Sequence, residues 1–309
     1  MANLKVKYLG AEFKNPTVLA SGVTGVTAAT WRSVVNSGAG GITTKSIWLN
    51  EHKGHKNPTI ITTEHWMMNA VGLPDAGLEK AIEEINDYAK TKDALGAPLI
   101  ASIVGGKAEE FAAIAEKMKD LPIDILEINI SCPNVEGEFG LPFACVASDA
   151  KMVTQAVKKV SGDKPVIVKL SPNVTSITQI ANACAEGGAD GFCLINTLGP
   201  GLYINLETRM PVLANKVGGI SGPAIKPLAV KMVHDVYKAT KLPIIGTGGV
   251  TTGSDALEMM MAGATLVGVG SAVYYRGIDV FRKISNEMNE WCDKNGVKDL
   301  SEIIGTVKM

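Results

Sequence analysis

The chain predicts a closed, eight-stranded parallel barrel wrapped by helices, a (β/α)8 or TIM barrel. Short apolar runs recur along its 309 residues, and eight of them have strand length. Each is apolar at successive positions rather than at alternate ones, and stretches with helical periodicity separate them. A strand apolar on both faces is covered on both faces, as in a parallel sheet under helices. Eight strand–helix units in about this length match barrel closure. The rival is an open doubly wound sheet, but no Gly-x-Gly-x-x-Gly run follows the first strand. No linker divides the chain, so residues 1–309 read as one domain.

Residues 4–13 alternate polar and apolar side chains, which suits a small hairpin; residues 1–14 then cap the barrel end opposite the active face. Strands are expected at 17–20, 41–45, 98–103, 124–130, 166–170, 191–196, 243–246 and 264–270. Apolar positions at helical spacing predict helices over 78–88, 108–118, 147–160, 177–186, 224–237, 254–261 and 280–289. Three longer excursions, 47–75, 131–148 and 197–223, all leave strand C-terminal ends. That is the face on which barrels build their active sites.

Composition narrows the function classes. Hydrophobic residues make up 46% and charged residues 20%, so the chain can bury a large core and is not disordered. The formal net charge is −1 with the signs mixed, which gives no footprint for nucleic acid or an anionic membrane. Five scattered cysteines without a Cys-x-x-Cys pair fit a reducing cytoplasm better than a disulfide framework or a zinc site. The N-terminus has no apolar core of signal-peptide length. The most hydrophobic stretch, 259–275, is interrupted by Gly263, Gly268 and Gly270 and reads as a helix end followed by a strand.

Four groups of residues carry chemistry. Cys132 follows the fourth strand within Asn129-Ile130-Ser131-Cys132-Pro133-Asn134, where a thiol between amides is placed for reaction rather than packing. The last two strands end in Gly246-Thr247-Gly248-Gly249 and Gly268-Val269-Gly270-Ser271. Glycines let backbone N–H groups approach an anion, the helix N-termini that follow favour negative charge, and barrels often bind phosphate at these two loops. Lys45 and Lys169 end or interrupt apolar strands, where an ammonium is costly unless it meets an anion; beside a phosphate site they suggest an anionic cofactor such as a flavin. Asn69, Asn129, Asn134 and Asn196 fall at strand ends or in a top-face loop, and each offers a donor and an acceptor to a flat ligand such as a pyrimidine. His52 and His55, among lysines, read as an exposed loop without a carboxylate or cysteine to complete a metal set. Cys184 and Cys193 read as core thiols, and Cys145 is the rival nucleophile.

These residues also lie in strings that resemble the dihydroorotate dehydrogenases: Ala20-Ser21-Gly22, Lys45-Ser46, Asn69-Ala70-Val71-Gly72-Leu73, Asn129 to Val135, Val168 to Thr175, Ile195-Asn196-Thr197, Gly219 to Pro227, Gly248-Gly249 and Gly270-Ser271. The strings run in family order over nearly the whole chain. Cysteine rather than serine in Ser131-Cys132-Pro133-Asn134 resembles the soluble class 1 enzymes. Val168 to Thr175, Leu213-Ala214-Asn215 and Gly219 to Pro227 most resemble the NAD-linked class 1B catalytic subunit.

The resemblance implies one FMN per chain and oxidation of dihydroorotate to orotate in pyrimidine biosynthesis. Cys132 is implied as the general base for the C5 proton, and the C6 hydrogen leaves as hydride to FMN. By the same resemblance Lys45 would touch substrate and flavin. Asn69, Asn129, Asn134, Asn196 and Thr197 would hold the pyrimidine, and Ala70, Val71, Gly72 and Leu73 its carboxylate. Ala20, Ser21, Ser46, Ser102, Lys169, Ile195 and Gly222 would line the flavin, with phosphate at Gly248, Gly249, Gly270 and Ser271. A homodimer core is implied, with a separate subunit carrying FAD and a [2Fe–2S] cluster that passes electrons to NAD+. The chain departs from the family pattern at Asp75, which adds negative charge near an anionic substrate, at Ser102, where class 1B enzymes often place asparagine, and across 136–145. That loop faintly resembles the dihydropyrimidine dehydrogenases, so dihydrouracil and dihydrothymine stand as alternative substrates and fumarate as the alternative, class 1A, acceptor. The reading from a different class is a non-redox nucleotide-binding barrel with Cys132 as nucleophile.

Overall fold

Eight parallel strands close on themselves in chain order: Thr17–Leu19, Gly41–Thr43, Leu99–Ile103, Ile125–Asn129, Val166–Leu170, Gly191–Leu194, Ile244–Thr247 and Leu266–Val269, the last pairing with the first. The computed structural model describes residues 2–131 and 143–308. All eight strands fall where unbroken apolar runs predict them, and all but Thr247 of their residues are buried. Several stop short of the predicted ends. The second ends at Thr43, so Lys45 lies two residues past it, and the sixth ends at Leu194, so Ile195, Asn196 and Thr197 belong to the loop. At these ends the chain turns from ladder to pocket.

The helices bury one stripe each against the barrel. In Ala108–Met118 the buried residues are Ala108, Phe111, Ile114, Ala115 and Met118, the spacing of one helical face. Each large side chain so buried stabilises the fold by about 1.5–3 kcal/mol. Leu78–Leu95 runs past the predicted 88 and stops at Gly96, whose φ of 57° suits the left-handed C-cap. A helix absent from the sequence expectation, Ala28–Asn36, joins the first two barrel strands. Its Thr27 and Thr30 form a capping box, and Trp31, Val34 and Val35 are buried. At the far end a hairpin of Val6–Tyr8 and Ala11–Phe13 closes the barrel, and the Tyr8 hydroxyl lies 3.5 Å from the carbonyls of Phe192 and Pro243 at the starts of two strands. Among the described residues, no helix is long and apolar enough to cross a membrane.

The helix after the seventh strand, Gly253–Ala262, is fixed by Asp255. Its carboxylate accepts from the N–H groups of Thr251 and Thr252 and from the Thr251 hydroxyl, and it pairs with Lys226 at 2.8 Å. Burial pushes the Asp255 carboxyl up, but Lys226 and Thr251 outweigh burial and hold it at about 2, against an ordinary 3.8. The unfolded chain therefore takes up the proton first on acidification. The stabilisation from this carboxylate is full above about pH 4 and is lost as pH falls through about 2. Asp255→Asn is expected to cost about 1 kcal/mol at pH 7, a difference from wild type that shrinks below pH 4. Urea unfolding of both proteins at pH 7, 4 and 2.5 checks it; a pH-independent gap refutes the assignment.

Above the barrel mouth sits a second sheet of four short strands in the order Leu198–Leu202, Val217–Ser221, Met67–Asn69, Ile60–Thr62, all antiparallel. It joins the excursion after the second barrel strand to the one after the sixth. Asn69 pairs with Gly219 across it.

Candidate functional site

A pocket opens at the C-terminal ends of the barrel strands under that small sheet. One wall is a chain of hydroxyls and amides. Ser46 Oγ accepts from Asn129 Nδ2 at 2.8 Å and lies 3.0 Å from Ser102 Oγ and 3.4 Å from Ser21 Oγ. Asn129 Oδ1 accepts from the hydroxyl and N–H of Ser131. Asn196 Nδ2 donates to Ser131 Oγ at 2.9 Å, and its Oδ1 accepts from the Thr197 N–H. These bonds fix which way each amide faces. Asn129 keeps one N–H and Asn196 one oxygen lone pair for a ligand.

Lys169 rises from the fifth strand into the barrel interior, in register with Asn129 on one side and Cys193 on the other. It is only 6% exposed, lines the pocket, and makes no ion pair among the described residues. Two residues before Asn129 on the same strand face, Glu127 is 1% exposed, and its Oε1 has no hydrogen-bond partner among the described residues. Burial pushes the Cys193 thiol up to about 12, with Glu127 adding to the rise and Lys169 opposing it. The barrel interior beneath the pocket therefore holds an acidic and a basic side chain, with Lys169 at the top.

At the opposite end of the pocket lie Gly248, Gly249, Gly270 and Ser271. Gly249 has φ +75°, and a Cβ there would meet Lys226 Cβ at 2.7 Å and the Gly222 carbonyl at 2.9 Å. A side chain would collide there, so the position requires glycine. The helix after the seventh strand, Gly253–Ala262, has its first N–H groups engaged by Thr252, Asp255 and Glu287, while the second helix of the expectation, Ala272–Arg276, follows Ser271 directly.

The pocket brings together Ala20, Ser21, Lys45, Ser46, Asn69, Val71, Gly72, Leu73, Asn129, Lys169, Ile195, Asn196, Thr197 and Gly222 with Gly248, Gly249, Gly270 and Ser271. Ala70 and Ser102 stand behind the wall: Ala70 packs on Met68 and Leu213, and Ser102 bonds to Ser46. Cys132, Asn134 and residues 136–142 of the unusual loop lie outside the described residues. Sequence reasoning missed Ile60, Met67, Ser221 and Thr247, which line the same pocket; the first three arrive on the small sheet, and no local pattern announces it. His52 and His55 are not in an exposed loop. Both are half-buried, and their Nδ1 atoms lie 3.2 Å and 3.1 Å from the carbonyls of Leu73 and Ala70. Asp75 does not confront the pocket: its Oδ2 accepts from the N–H groups of Trp48 and Gly77, both at 3.0 Å.

Residues 3–291 match the family model for dihydroorotate dehydrogenase. The chain is 44% identical over 302 residues to the catalytic subunit of dihydroorotate dehydrogenase B (NAD+) of Methanocaldococcus jannaschii, covering 98% of this chain and 97% of that one. It is 45% identical to the protein of the same description from Methanosarcina acetivorans, covering 96% and 93%. The Pyrococcus horikoshii counterpart is 43% identical over 98% and 97%.

Proposed function

The chain belongs to the dihydroorotate dehydrogenase family, and on that premise we propose that it is the catalytic subunit of the NAD+-linked type, oxidising dihydroorotate to orotate in cytoplasmic pyrimidine biosynthesis. The observation that carries this reading is the convergence, in one barrel-top pocket, of a buried lysine, three asparagines, two of them oriented by hydrogen bonds, and glycine turns after the last two strands. Those features fit FMN. Gly248, Gly249, Gly270 and Ser271 would take its phosphate, Ser21 and Ser46 its polar edge, and Lys169 its negative charge. When bound, FMN supplies the two-electron acceptor for the hydrogen that leaves C6 as hydride. The protein does the rest. Asn69, Asn129, Asn134 and Asn196, with Thr197, hold the ring, and Lys45 contacts it. The N–H groups of Val71 to Leu73 face the carboxylate. Cys132 takes the C5 proton as the C5–C6 double bond forms.

The relatives are named catalytic subunits, which supports a separate electron-transfer partner carrying FAD and [2Fe–2S], and we propose a homodimer core for this chain. The test is anaerobic titration of the purified yellow protein with dihydroorotate, dihydrouracil and dihydrothymine. Dihydroorotate alone is expected to bleach the flavin, and neither fumarate nor NAD+ is expected to sustain turnover of the isolated chain. A colourless protein that takes up no FMN, or bleaching by dihydrouracil alone, overturns the reading.

A further inference from the structure

The excursion after the second barrel strand contains a brace for which the proposed reaction has not yet given a use. Between Ala70 and Leu73 three carbonyls are engaged from below by one segment: that of Ala70 by His55 Nδ1 at 3.1 Å, that of Val71 by the His55 N–H at 3.0 Å, and that of Leu73 by Trp48 Nε1 at 3.1 Å and His52 Nδ1 at 3.2 Å. A carbonyl only accepts, so each imidazole carries its proton on Nδ1. The His52 ring stacks on Trp48, with centroids 4.6 Å apart and planes 13° apart. Asp75 ties the ends together: its Oδ2 accepts from the Trp48 and Gly77 N–H groups, and its backbone exchanges two 2.9 Å bonds with His52. Gly54 admits this close approach, since a Cβ there would meet the Val71 carbonyl at 2.4 Å.

With the carbonyls turned to the brace, the N–H groups of Val71, Gly72 and Leu73 donate to no protein acceptor among the described residues, and all three residues line the pocket. Gly72 and Leu73 both have positive φ, 73° and 48°, a conformation that leucine does not hold without outside support. We propose that Trp48, His52 and His55 are positioning residues. They hold residues 70–73 so that three backbone N–H groups converge on the ligand's carboxylate, and Asp75 locks them in place. The proposal rests on the dihydroorotate reading and assigns that site's selectivity for a carboxylate-bearing pyrimidine to side chains that never touch it. Asp75, a departure from the family pattern, is thereby part of the scaffold and not a repulsive charge facing the substrate.

The test uses the FMN-loaded protein and two planar ligands that differ by the carboxylate, orotate and uracil, read by perturbation of the flavin spectrum. His55→Ala and His52→Ala are each expected to weaken orotate binding about three- to tenfold, the worth of one hydrogen bond, with uracil binding and FMN content unchanged. His55→Asn, whose side-chain N–H replaces Nδ1–H, is expected to restore orotate binding. In flavin reduction, the alanine variants are expected to raise the half-saturating dihydroorotate concentration and leave the limiting rate within about twofold, because uniform binding is lost and not transition-state stabilisation. Equal loss of orotate and uracil, no loss of either, or failure of asparagine to rescue overturns the brace. If dihydroorotate does not bleach the wild-type flavin, the functional reading fails, and the brace proposal fails with it.

Discussion

Replacing Cys132 with serine is expected to slow reduction of the bound flavin by dihydroorotate by about 10²- to 10⁴-fold, the range for loss of a positioned base, while the protein still purifies yellow. A free thiol titrates near 8.5, far below a serine hydroxyl, so serine keeps the shape and loses the proton acceptor. The other cysteines cannot take over. Burial pushes Cys184 and Cys193 up to about 12 and also raises Cys145 and Cys292. Cys145, the rival nucleophile, is not among the residues lining the pocket, and its Sγ lies 3.8 Å from the Asn173 carbonyl. Just before Cys132 the backbone is well anchored, since Ser131 is fully buried and bonded to both Asn129 and Asn196. Stopped-flow reduction under anaerobic conditions checks the prediction. Unchanged kinetics, or a covalent nucleotide adduct on Cys132 without flavin reduction, refutes the base assignment and favours the nucleophile reading.

What the sequence discloses about this site follows the range of the forces that build it. The barrel strands were legible because each is buried on both faces, and a run such as Val166–Leu170 records that in five consecutive residues. The glycine turns after the last two strands were legible because close backbone approach demands glycine wherever it occurs. The small sheet over the mouth was not. Met67–Asn69 and Val217–Ser221 pair across 154 positions, the second carries two glycines, and both are only partly buried, so neither propensity nor burial marks them. The helix Ala28–Asn36 was missed for a different reason: threonines and valines weaken its intrinsic signal, and a capping box with buried Trp31 compensates through tertiary contact. His52 and His55 were misread because flanking lysines suggest solvent. Their partners are carbonyls some 15 to 21 residues away, and a carbonyl has no sequence signature.

On the proposed reading, Lys169→Met is expected to give the second large effect, on the cofactor rather than on the proton. The ammonium is almost fully buried at the top of the barrel interior, where its desolvation is tolerable only if a ligand returns the lost interaction. A unit charge acting over about 4–8 Å at an effective dielectric near 20 contributes about 2–4 kcal/mol, which for a two-electron couple is roughly 40–90 mV. Removing the cation disfavours the reduced, more anionic flavin, so the midpoint potential is expected to fall by that amount and FMN to dissociate faster. Methionine fills much of the lysine volume, which limits the packing loss. Glu127 separates charge from shape. Its carboxyl is buried on the neighbouring strand, two residues before the Asn129 that pairs with Lys169, so a carboxylate there acts on a bound flavin with the sign opposite to the ammonium's. Adding Glu127→Gln to Lys169→Met is then expected to recover part of the lost potential, although it adds no contact to the flavin. A potential unchanged in the single variant shows that Lys169 acts by packing and overturns its electrostatic role, whereas one lowered equally in the double shows that the flavin does not sense Glu127.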